Sequence, residues 1–317
     1  MQALTINQFG GPEQLRLQEI GIPMPKSGEV LVRVHAAGVN PVDFKIRNGS
    51  MKFITGSKFP RILGGDIAGV VEQAGDKSEY RPGDRVYAML SLKGGGYAEF
   101  VTVKESHLCH IPDGISMKEA AATPLAALTA LQSFQKRGGI RPGDRILING
   151  ASGGVGSFAV QTAKAMGAHV TAVCSARNIE FVKNLGADEA IDYNAEDFTK
   201  MKDQYHRVFD VVAKSSFRKC RKILKNEGTY VTTIPNNGLL LYKAFNFLRR
   251  KKAYFIMAKP SGHDLQVISG YITKGLVRPQ VEMTFSLAEG VKAHQMIETE
   301  RVRGKIVLEV ISKENAG

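Results

Sequence analysis

Apolar and polar residues alternate in short runs along the first part of the chain. Residues 29–34 form one such run, and residues 69–75 form another that ends in a turn. Gly and Pro separate the runs, as in Pro82-Gly83-Asp84. Alternation with a period of two between such breaks is typical of β-strands with one buried face. Residues 1–120 are therefore expected to form a β-rich domain.

From residue 117 the pattern changes to helices that alternate with strands. Residues 117–134 are rich in Ala and Leu and predict a helix. Residues 145–149 then predict a strand, 155–168 a helix and 169–173 a second strand, which together make a βαβ unit. Further helices are expected at 178–185 and 217–225, and further strands at 190–192, 208–212, 229–233 and 305–310. This alternation indicates an α/β fold with a parallel sheet.

A glycine-rich turn, Gly150-Ala151-Ser152-Gly153-Gly154-Val155-Gly156, lies between the predicted strand and helix of the βαβ unit. Glycine lets the backbone approach a pyrophosphate closely, and the helix N-terminus offers free N–H groups and a partial positive charge. A dinucleotide-binding turn is therefore predicted, with an ordinary tight turn as the alternative. The expected cofactor contacts are Ser152, Gly153, Gly154, Val155 and Gly156.

The end of the second strand bears on which dinucleotide is bound. NAD sites place an Asp or Glu there to bind the ribose 2′-hydroxyl. This chain has Ser175-Ala176-Arg177-Asn178 and no acidic residue at that point. Ser175 can donate a hydrogen bond and Arg177 can pair with a 2′-phosphate, although Arg177 could also be a solvated residue at a helix start. Residues 175–178 are predicted cofactor contacts, and NADPH is favoured over NADH.

The composition limits the class of protein. The chain has 317 residues, which corresponds to roughly two domains of about 150 residues each. No apolar run reaches the ~18 residues of a membrane-spanning helix, and the start does not resemble a secretory signal. Three widely spaced cysteines do not predict a disulfide framework, so a reducing, cytoplasmic setting is expected. The net charge of +13 is interpreted as a solvated basic surface, because no nucleic-acid-binding motif accompanies it.

Several further motifs extend over nearly the whole chain. They lie at residues 36–43 (AAGVNPVD), 63–69 (LGGDIAG), 81–86 (RPGDRV), 95–100 (GGYAEF), 185–188 (LGAD) and 304–307 (GKIV). Together with the glycine-rich turn they resemble the medium-chain dehydrogenase/reductase superfamily, in its zinc-independent quinone oxidoreductase and enone reductase branch. The resemblance implies a GroES-like catalytic domain made of residues 1–120 and 263–317. A Rossmann NADP-binding domain, residues 121–262, would be inserted between them.

The resemblance also indicates whether the chain has the residues needed to bind zinc. Zinc-dependent relatives carry a Cys and a His-Glu pair at positions that match Asn40 and Gly65-Asp66 here. Neither Asn nor Gly is a usable zinc ligand. The cluster at 107–110 (His-Leu-Cys-His) is not expected to bind metal either, because neighbouring residues on a strand face opposite ways. The expected activity is hydride transfer from NADPH to a quinone or to the C=C bond of an α,β-unsaturated carbonyl, without metal.

The resemblance suggests catalytic candidates in the motif that contains Asn40, Asp43 and Lys45. Lys45 is expected to contact the nicotinamide ribose or the substrate oxygen, where its ammonium would stabilise an enolate. The alternative is that Lys45 is a surface lysine. Asn40 is a candidate donor to a carbonyl, and Asp43 is expected to support the loop rather than to donate protons. No dedicated proton donor is identified, and water is expected to protonate the product.

Other cofactor contacts are implied by the same resemblance. Thr123 would lie near the nicotinamide amide, or simply cap a helix before Pro124. Tyr193 would flank the adenosine phosphate, or be an ordinary exposed aromatic. The remaining implied contacts lie at a strand end and near the C-terminus: Thr232, Thr233, Ile234, Gly304 and Lys305. Residues 213–216 (Ala-Lys-Ser-Ser) depart from the pattern of relatives, so the resemblance does not predict the shape of the site on the nicotinamide side.

The stretch 228–263 contains no acidic residue. Within it, residues 239–248 are mostly apolar and the basic run 249–252 follows. This stretch has three interpretations: a homodimer interface at an edge strand, a lid, or a surface that binds an anionic membrane peripherally. The expected oligomeric state is a homodimer. The alternative function is that of a membrane-associated or regulatory nucleotide-binding protein with little catalysis.

Overall fold

The structure is a computed structural model that describes residues 1–136, 138–201, 204–234 and 250–311. The chain divides into two compact units. Unit 1 comprises Met1–Leu128, Lys259–Thr273 and Pro279–Gly317, and unit 2 comprises Thr129–Ala258 and Lys274–Arg278. The domain boundaries expected at 1–120, 121–262 and 263–317 stay a prediction.

The strands, in chain order, are β1 (Gln2–Ile6), β2 (Arg16–Glu19), β3 (Glu29–Val39), β4 (Arg61–Ile62), β5 (Asp66–Gln73), β6 (Arg85–Met89), β7 (Phe100–Lys104), β8 (Leu108–His110), β9 (Arg145–Asn149), β10 (His169–Cys174), β11 (Glu189–Asp192), β12 (Tyr205–Asp210), β13 (Leu224–Thr232), β14 (Lys252–Phe255), β15 (Val281–Ser286) and β16 (Lys305–Glu309). The helices are α1 (Pro41–Arg47), α2 (Lys52–Thr55), α3 (Met117–Ala121), α4 (Pro124–Phe134), α5 (Gly154–Ala165), α6 (Ile179–Asn184), α7 (Phe217–Cys220), α8 (Gly262–Thr273) and α9 (Gly290–Glu298). None of the helices formed by the described residues has both the length and the apolar character needed to cross a bilayer.

Unit 1 is built on two sheets. The larger has the order β15-β16-β3-β5-β6-β8, with β7 also paired to β3, and the smaller has the order β2-β1-β4. Strand β16, from near the C-terminus, pairs antiparallel with β3. This pairing brings the start of β16 beside the end of β3, where Ile306 faces Val39. The expected β-rich character of the first 120 residues is confirmed.

Unit 2 contains a six-stranded sheet with the order β11-β10-β9-β12-β13-β14, and all of its pairs are parallel. Numbered within the sheet, this is the order 3-2-1-4-5-6 of a doubly wound nucleotide-binding fold. The strand order reverses between β9 and β12, which is where such sheets bind ligands at the carboxyl ends of their strands. The predicted α/β class with a parallel sheet is confirmed.

Two expected helices differ from the structure. The single helix expected at 117–134 is split into α3 and α4, because Pro124 has no N–H to continue α3 and instead begins a new helix. The helix expected at 217–225 ends at Cys220, since Leu224 begins a strand that pairs with β12. Burial of this apolar segment in the sheet outweighs its helical propensity.

Two smaller expectations also need correction. The strand expected at 208–212 lies at Tyr205–Asp210. His107 belongs to a short 3-10 turn rather than to the strand, and on β8 Cys109 is buried while His110 is exposed. In the basic stretch, residues 235–249 lie outside the described residues. Of its described residues, 228–232 belong to β13 and 252–255 form β14, which stands at one end of the strand order of its sheet.

Candidate active site

A buried polar network surrounds the N-terminus of α1 in unit 1. Asn40 precedes the helix, and Pro41 occupies its first position. The Asn40 N–H donates to Oδ2 of Asp43 at 2.8 Å, and the Asp43 N–H donates back to the Asn40 carbonyl at 2.9 Å. Both side chains are almost fully buried. The two predicted catalytic residues are therefore held together by the helix start itself.

Lys305 extends into this network from β16. Its ammonium donates to Oδ1 of Asn40 and lies 3.6 Å from Oδ2 of Asp66. Asn40 Nδ2 donates to the same Asp66 carboxylate at 2.9 Å, and the Leu125 N–H donates to its other oxygen at 2.8 Å. Both ends of the Asn40 amide are thus engaged within the protein. The Lys305 ammonium is likewise directed inward in this structure.

These contacts bear directly on zinc. The positions that match zinc ligands in zinc-dependent relatives hold an amide, a glycine and a carboxylate, with the ammonium of Lys305 among them. A fixed ammonium repels a dication, and an asparagine amide and a glycine are poor partners for zinc. Across the parts of the chain that the structure describes, no group of three or more His, Cys, Asp or Glu could hold a metal ion. The residues present do not fit zinc.

Asp43 is also hydrogen-bonded to a line of polar side chains that runs through Tyr97 and His294 to Arg47. The Tyr97 hydroxyl donates to Oδ2 of Asp43 at 3.0 Å, and Nε2 of His294 lies 3.4 Å from the Tyr97 hydroxyl. Nδ1 of His294 lies 3.0 Å from a guanidinium nitrogen of Arg47. Arg47 also pairs with Glu298, which is partly exposed. A line of hydrogen bonds therefore connects Asp43 to the edge of unit 1.

Burial controls the ionisation of these groups. It raises the pKa of Asp43 to about 7, and the charge of Asp66 adds to this, while the Asn40 N–H, Tyr97 and Lys305 act in the opposite direction. Burial also raises the pKa of Asp66 and lowers the pKa of Lys305, and the attraction between these two opposes both shifts. Asp43 is therefore a carboxyl group whose pKa lies near neutral pH.

Two side chains in this line of hydrogen bonds, His294 and Tyr97, stay neutral over a wide range of pH. Burial, reinforced by the charge of Arg47, lowers the pKa of His294 to about 3. Burial and the nearby Asp43 charge hold the pKa of Tyr97 well above its usual value. Near pH 7 both residues are hydrogen-bonding groups without charge, so they orient their neighbours without adding charge to the site.

A small cavity in unit 1 borders Asp43. Its volume is about 20 Å³, which is enough for one water molecule. The lining is mainly apolar, and Asp43 and Lys93 are its ionisable members. Lys45 lies in the last turn of α1 and is half-buried.

Two other predicted contacts in unit 1 have clear local roles. Thr123 is buried, and its hydroxyl donates to the Glu119 carbonyl at 2.7 Å, so it provides a partner for a carbonyl of α3. Gly304 has φ of +75° and leads into β16, where the Lys305 N–H donates to the Gln280 carbonyl at 2.8 Å. A Cβ at Gly304 would collide with that same carbonyl. Their predicted contacts with the cofactor stay predictions.

The glycine-rich turn of unit 2 has the geometry of a phosphate cradle. Gly150 has φ of +85°, which turns the chain sharply at the end of β9. A Cβ on Gly156 would overlap the Gly150 carbonyl, so only glycine allows this close packing of turn and helix. Helix α5 begins at Gly154, and the first N–H groups of a helix lack intrahelical partners. These residues fit the diphosphate of a dinucleotide.

Side chains from the turn and from the end of β10 meet beside this cradle. Asn178 Nδ2 donates to the Ser152 hydroxyl at 3.0 Å and lies 3.3 Å from the Ser175 hydroxyl. Arg177 and Ala176 are exposed in the 3-10 turn that follows β10. Residues 152 and 175–178, which the sequence predicts as cofactor contacts, are brought together by the fold.

The predicted contacts Thr232, Thr233 and Ile234 lie at the end of β13, whose last residue is Thr232. Thr232 is buried, whereas Ile234 is 42% exposed, and the Thr233 hydroxyl donates to the Val211 carbonyl at 2.7 Å. Tyr193, which follows β11, is 56% exposed.

A buried aspartate that the sequence did not identify supports the adjacent loop. Asp210 ends β12 and accepts hydrogen bonds from Asn149 Nδ2, the Tyr230 hydroxyl and the Ser215 N–H at 2.8–2.9 Å. These bonds hold the loop in which the sequence departs from the pattern of relatives. Within that loop Ala213 has φ of +52°, a conformation that favours glycine.

The sequence also gave no role to four residues of the unit 1 network. They are Arg47, Asp66, Tyr97 and His294. For His294 a signal was present, because the buried positions of α9 are Gly290, Ala293, His294 and Ile297. This spacing places a titratable residue on the apolar face of an amphipathic helix.

Comparison with known proteins agrees with this geometry. A family model described as "Alcohol dehydrogenase GroES-like domain" matches residues 26–113, and one described as "Zinc-binding dehydrogenase" matches residues 185–308. The chain is 35% identical to a chloroplast envelope quinone oxidoreductase homolog of Arabidopsis thaliana, with 98% of each chain covered. It is 34% identical to a 2-methylene-furan-3-one reductase of Solanum lycopersicum, over 98% of this chain and 79% of that protein.

Solved structures give the same result. The quinone oxidoreductase from Coxiella burnetii superposes with a TM-score of 0.88 at 31% identity, over 98% of this chain and 99% of that one. The Escherichia coli quinone oxidoreductase complexed with NADPH superposes with a TM-score of 0.84 at 25% identity, over 98% and 100%. The chain is an oxidoreductase that belongs to the medium-chain dehydrogenase/reductase superfamily, in its quinone oxidoreductase branch.

Proposed function

We propose that the protein is a zinc-independent, NADPH-dependent reductase that transfers a hydride to quinones or to the C=C bond of α,β-unsaturated carbonyls. The main support is the similarity, over 98% of the chain, to a quinone oxidoreductase homolog. The tomato relative adds support for the second class of acceptor, since a 2-methylene-furan-3-one is a ketone conjugated to an alkene. The lack of fit between unit 1 and zinc supports the metal-free part of the proposal.

The choice of NADPH rests on the end of β10. Ser175, Arg177 and Asn178 follow this strand, and no acid is available there to bind a ribose 2′-hydroxyl. The exposed guanidinium of Arg177 suits a 2′-phosphate, which it can bind with two hydrogen bonds. The relative complexed with NADPH is consistent with this assignment.

In the proposed mechanism the bound cofactor supplies the hydride. The turn at 150–156 and the N-terminus of α5 hold the diphosphate with backbone N–H groups. Thr123, Tyr193, residues 232–234 and Gly304 are proposed as further cofactor contacts. Lys45 is proposed to stabilise negative charge that develops on the acceptor oxygen. The network of Asn40, Asp66 and Lys305 keeps the start of α1, and with it Lys45, in a fixed position.

The assembly and location are also proposals. We propose a homodimer in which the region of β14 takes part, because this strand ends the strand order of the unit 2 sheet. A cytoplasmic location is proposed from the three free cysteines. No observation in the described residues favours the alternative of a membrane-associated or regulatory protein with little catalysis.

The direct test is NADPH oxidation in excess EDTA with one ortho-quinone, one para-quinone and one short-chain enone. Turnover that persists in the chelator is the expected result, and the panel identifies the preferred acceptor class. Loss of turnover on chelation would contradict the metal-free mechanism. If the folded protein binds NADPH but turns over none of the three acceptors, the reductase proposal is wrong.

A further inference from the structure

The chain of hydrogen bonds that runs from Arg47 through His294 and Tyr97 to Asp43 has a fixed direction. A guanidinium only donates, so Arg47 must donate to Nδ1 of His294, which lies 3.0 Å away. The imidazole is neutral, and its single proton must therefore be on Nε2. From there it is donated to the Tyr97 hydroxyl at 3.4 Å. The Tyr97 hydroxyl in turn donates to Oδ2 of Asp43 at 3.0 Å.

All of these donors point toward one oxygen of one carboxyl group. Oδ2 of Asp43 also accepts the Asn40 N–H at 2.8 Å, so two donors hold this oxygen as an acceptor. A proton on Asp43 must then reside on Oδ1. Asp43 also borders the cavity that can hold one water molecule. The hydrogen bonds thus leave Oδ1 as the oxygen that carries the exchangeable proton.

We propose that Asp43 donates the proton that the reduced acceptor requires, and that Arg47, His294 and Tyr97 are positioning residues that keep its proton on Oδ1. This inference rests on the proposed reductase function, and it revises the expectation from the sequence that Asp43 supports its loop rather than donating protons. Hydride addition leaves an enolate or a hydroquinone anion. The O–H bond of Asp43 then breaks and its proton passes to the water molecule that the adjacent cavity can hold. That water gives one of its own protons to the new C–H or O–H bond of the product, and the electron pair of the broken bond stays on the carboxylate. Water returns the proton to Asp43 before the next turnover.

Other charges near Asp43 contribute to its ionisation. Asp66 from β5 disfavours the carboxylate, whereas Lys305 from β16 favours it. Lys93 lines the same cavity, and Arg47 lies on the same helix. With burial included, the pKa of Asp43 is about 7, so the group both holds and releases a proton near neutral pH.

The test combines a measurement without turnover and one with turnover. Infrared spectroscopy identifies the Asp43 carboxyl band as the one lost in Asp43→Asn, and its titration midpoint is then followed in each variant. Tyr97→Phe removes a donor to the carboxylate, and we expect the midpoint to rise by about one to two pH units. Tyr80→Phe is the matched control, because the buried Tyr80 hydroxyl donates to the Leu108 carbonyl outside the chain of hydrogen bonds.

His294 offers a conservative pair. In His294→Gln the amide oxygen can accept from Arg47 and the amide nitrogen can donate to Tyr97, so we expect the wild-type midpoint. His294→Leu interrupts the chain, and the midpoint should rise. The decline of kcat for enone reduction at high pH should move with the midpoint in every variant. Asp43→Asn should lower kcat by about a hundredfold or more with little change in KM for NADPH.

The outcomes separate the two proposals. If the infrared midpoint stays at its wild-type value in Tyr97→Phe and His294→Leu, the positioning chain is refuted. If the midpoint moves but kcat does not, or if Asp43→Asn keeps its turnover, Asp43 is not the donor. Failure of the wild type to reduce any acceptor would refute the reductase function, while the infrared titration would still decide the role of the chain.

Discussion

The ammonium nitrogen of Lys305 lies 3.6 Å from Oδ2 of Asp66, and both side chains are almost completely withdrawn from solvent. Lys305 starts β16 and Asp66 starts β5, so this ion pair joins two strands that both flank β3. Asn40, the residue that follows β3, contacts both partners. A buried charge is tolerated only with such partners.

We expect Lys305→Met to destabilise unit 1 by about 3–5 kcal/mol, because it leaves the Asp66 carboxylate buried without its cation. The measurement is urea unfolding followed by circular dichroism, which suits a chain without tryptophan. The double variant Lys305→Met/Asp66→Asn should lose less than the sum of the two single changes. A single-variant loss below about 1 kcal/mol, the range of exposed pairs, would show that the ion pair does not stabilise the fold.

His294 should make stability depend on pH in a defined direction. Its pKa is lowered to about 3 in the folded protein and is near 6.5 when unfolded, so below pH 6.5 the unfolded chain takes up a proton that the folded chain does not. Relative to His294→Gln, the wild type should lose up to about 1.4 kcal/mol per pH unit between pH 6 and pH 4. Urea unfolding of both proteins across this range measures the difference. A constant difference would mean that His294 is not buried in its neutral form.

Arg177→Ala should raise the KM for NADPH by about ten- to a hundredfold, because a charged hydrogen bond to the 2′-phosphate is lost. The KM for NADH should hardly change. Arg218→Ala, which removes another exposed arginine of unit 2, is the matched control. If Arg177→Ala weakens NADPH and NADH equally, or neither of them, the assignment is incorrect.

Gly156 and Gly153 should respond differently to alanine. A Cβ at Gly156 overlaps the Gly150 carbonyl, so Gly156→Ala should destabilise unit 2 by about 1–3 kcal/mol. A Cβ at Gly153 meets nothing nearer than 3.7 Å, so Gly153→Ala should fold normally. Because Gly153 precedes the N-terminus of α5, its new methyl group should still weaken NADPH binding. Thermal unfolding and NADPH titration separate the two effects, and equal stability losses would contradict this account.

Ala213→Gly should stabilise unit 2. Ala213 has φ of +52°, and a left-handed conformation costs a residue with a Cβ roughly 1–2 kcal/mol that glycine does not incur. Part of this gain is offset because glycine has more freedom in the unfolded chain. Urea unfolding should therefore show a gain of about 1 kcal/mol or less. A clear loss would indicate that the Ala213 methyl group makes contacts that outweigh its strain.

Local sequence was sufficient to predict the strand, turn and helix that begin the parallel-sheet part of the molecule. Strand β9 lies where the pattern predicts it, and the glycine-rich turn and α5 follow in the expected order. These features depend on neighbours in the sequence: the spacing of apolar residues, the conformational freedom of Gly150 and the start of a helix. The break at Pro124 has a local cause, the missing N–H of proline, although the sequence pattern predicted one helix there. The early end of α7 has no local signal, because it depends on the pairing of Leu224 with β12.

The chemistry of unit 1 was decided by tertiary structure. The sequence identified Asn40, Asp43 and Lys305 separately, but only the pairing of β16 with β3 brings Lys305 to Asn40. The pairing of Arg47 with His294 likewise joins residues far apart in the chain, and no local pattern encodes it. A pKa of about 7 for Asp43 arises from burial together with charges supplied by other strands. Sequence patterns were thus enough to predict the family, the parallel sheet and the glycine-rich turn, because each depends on residues close together in the chain. Which polar groups meet in a dry interior, and which charge each one carries, depends on contacts that only folding makes.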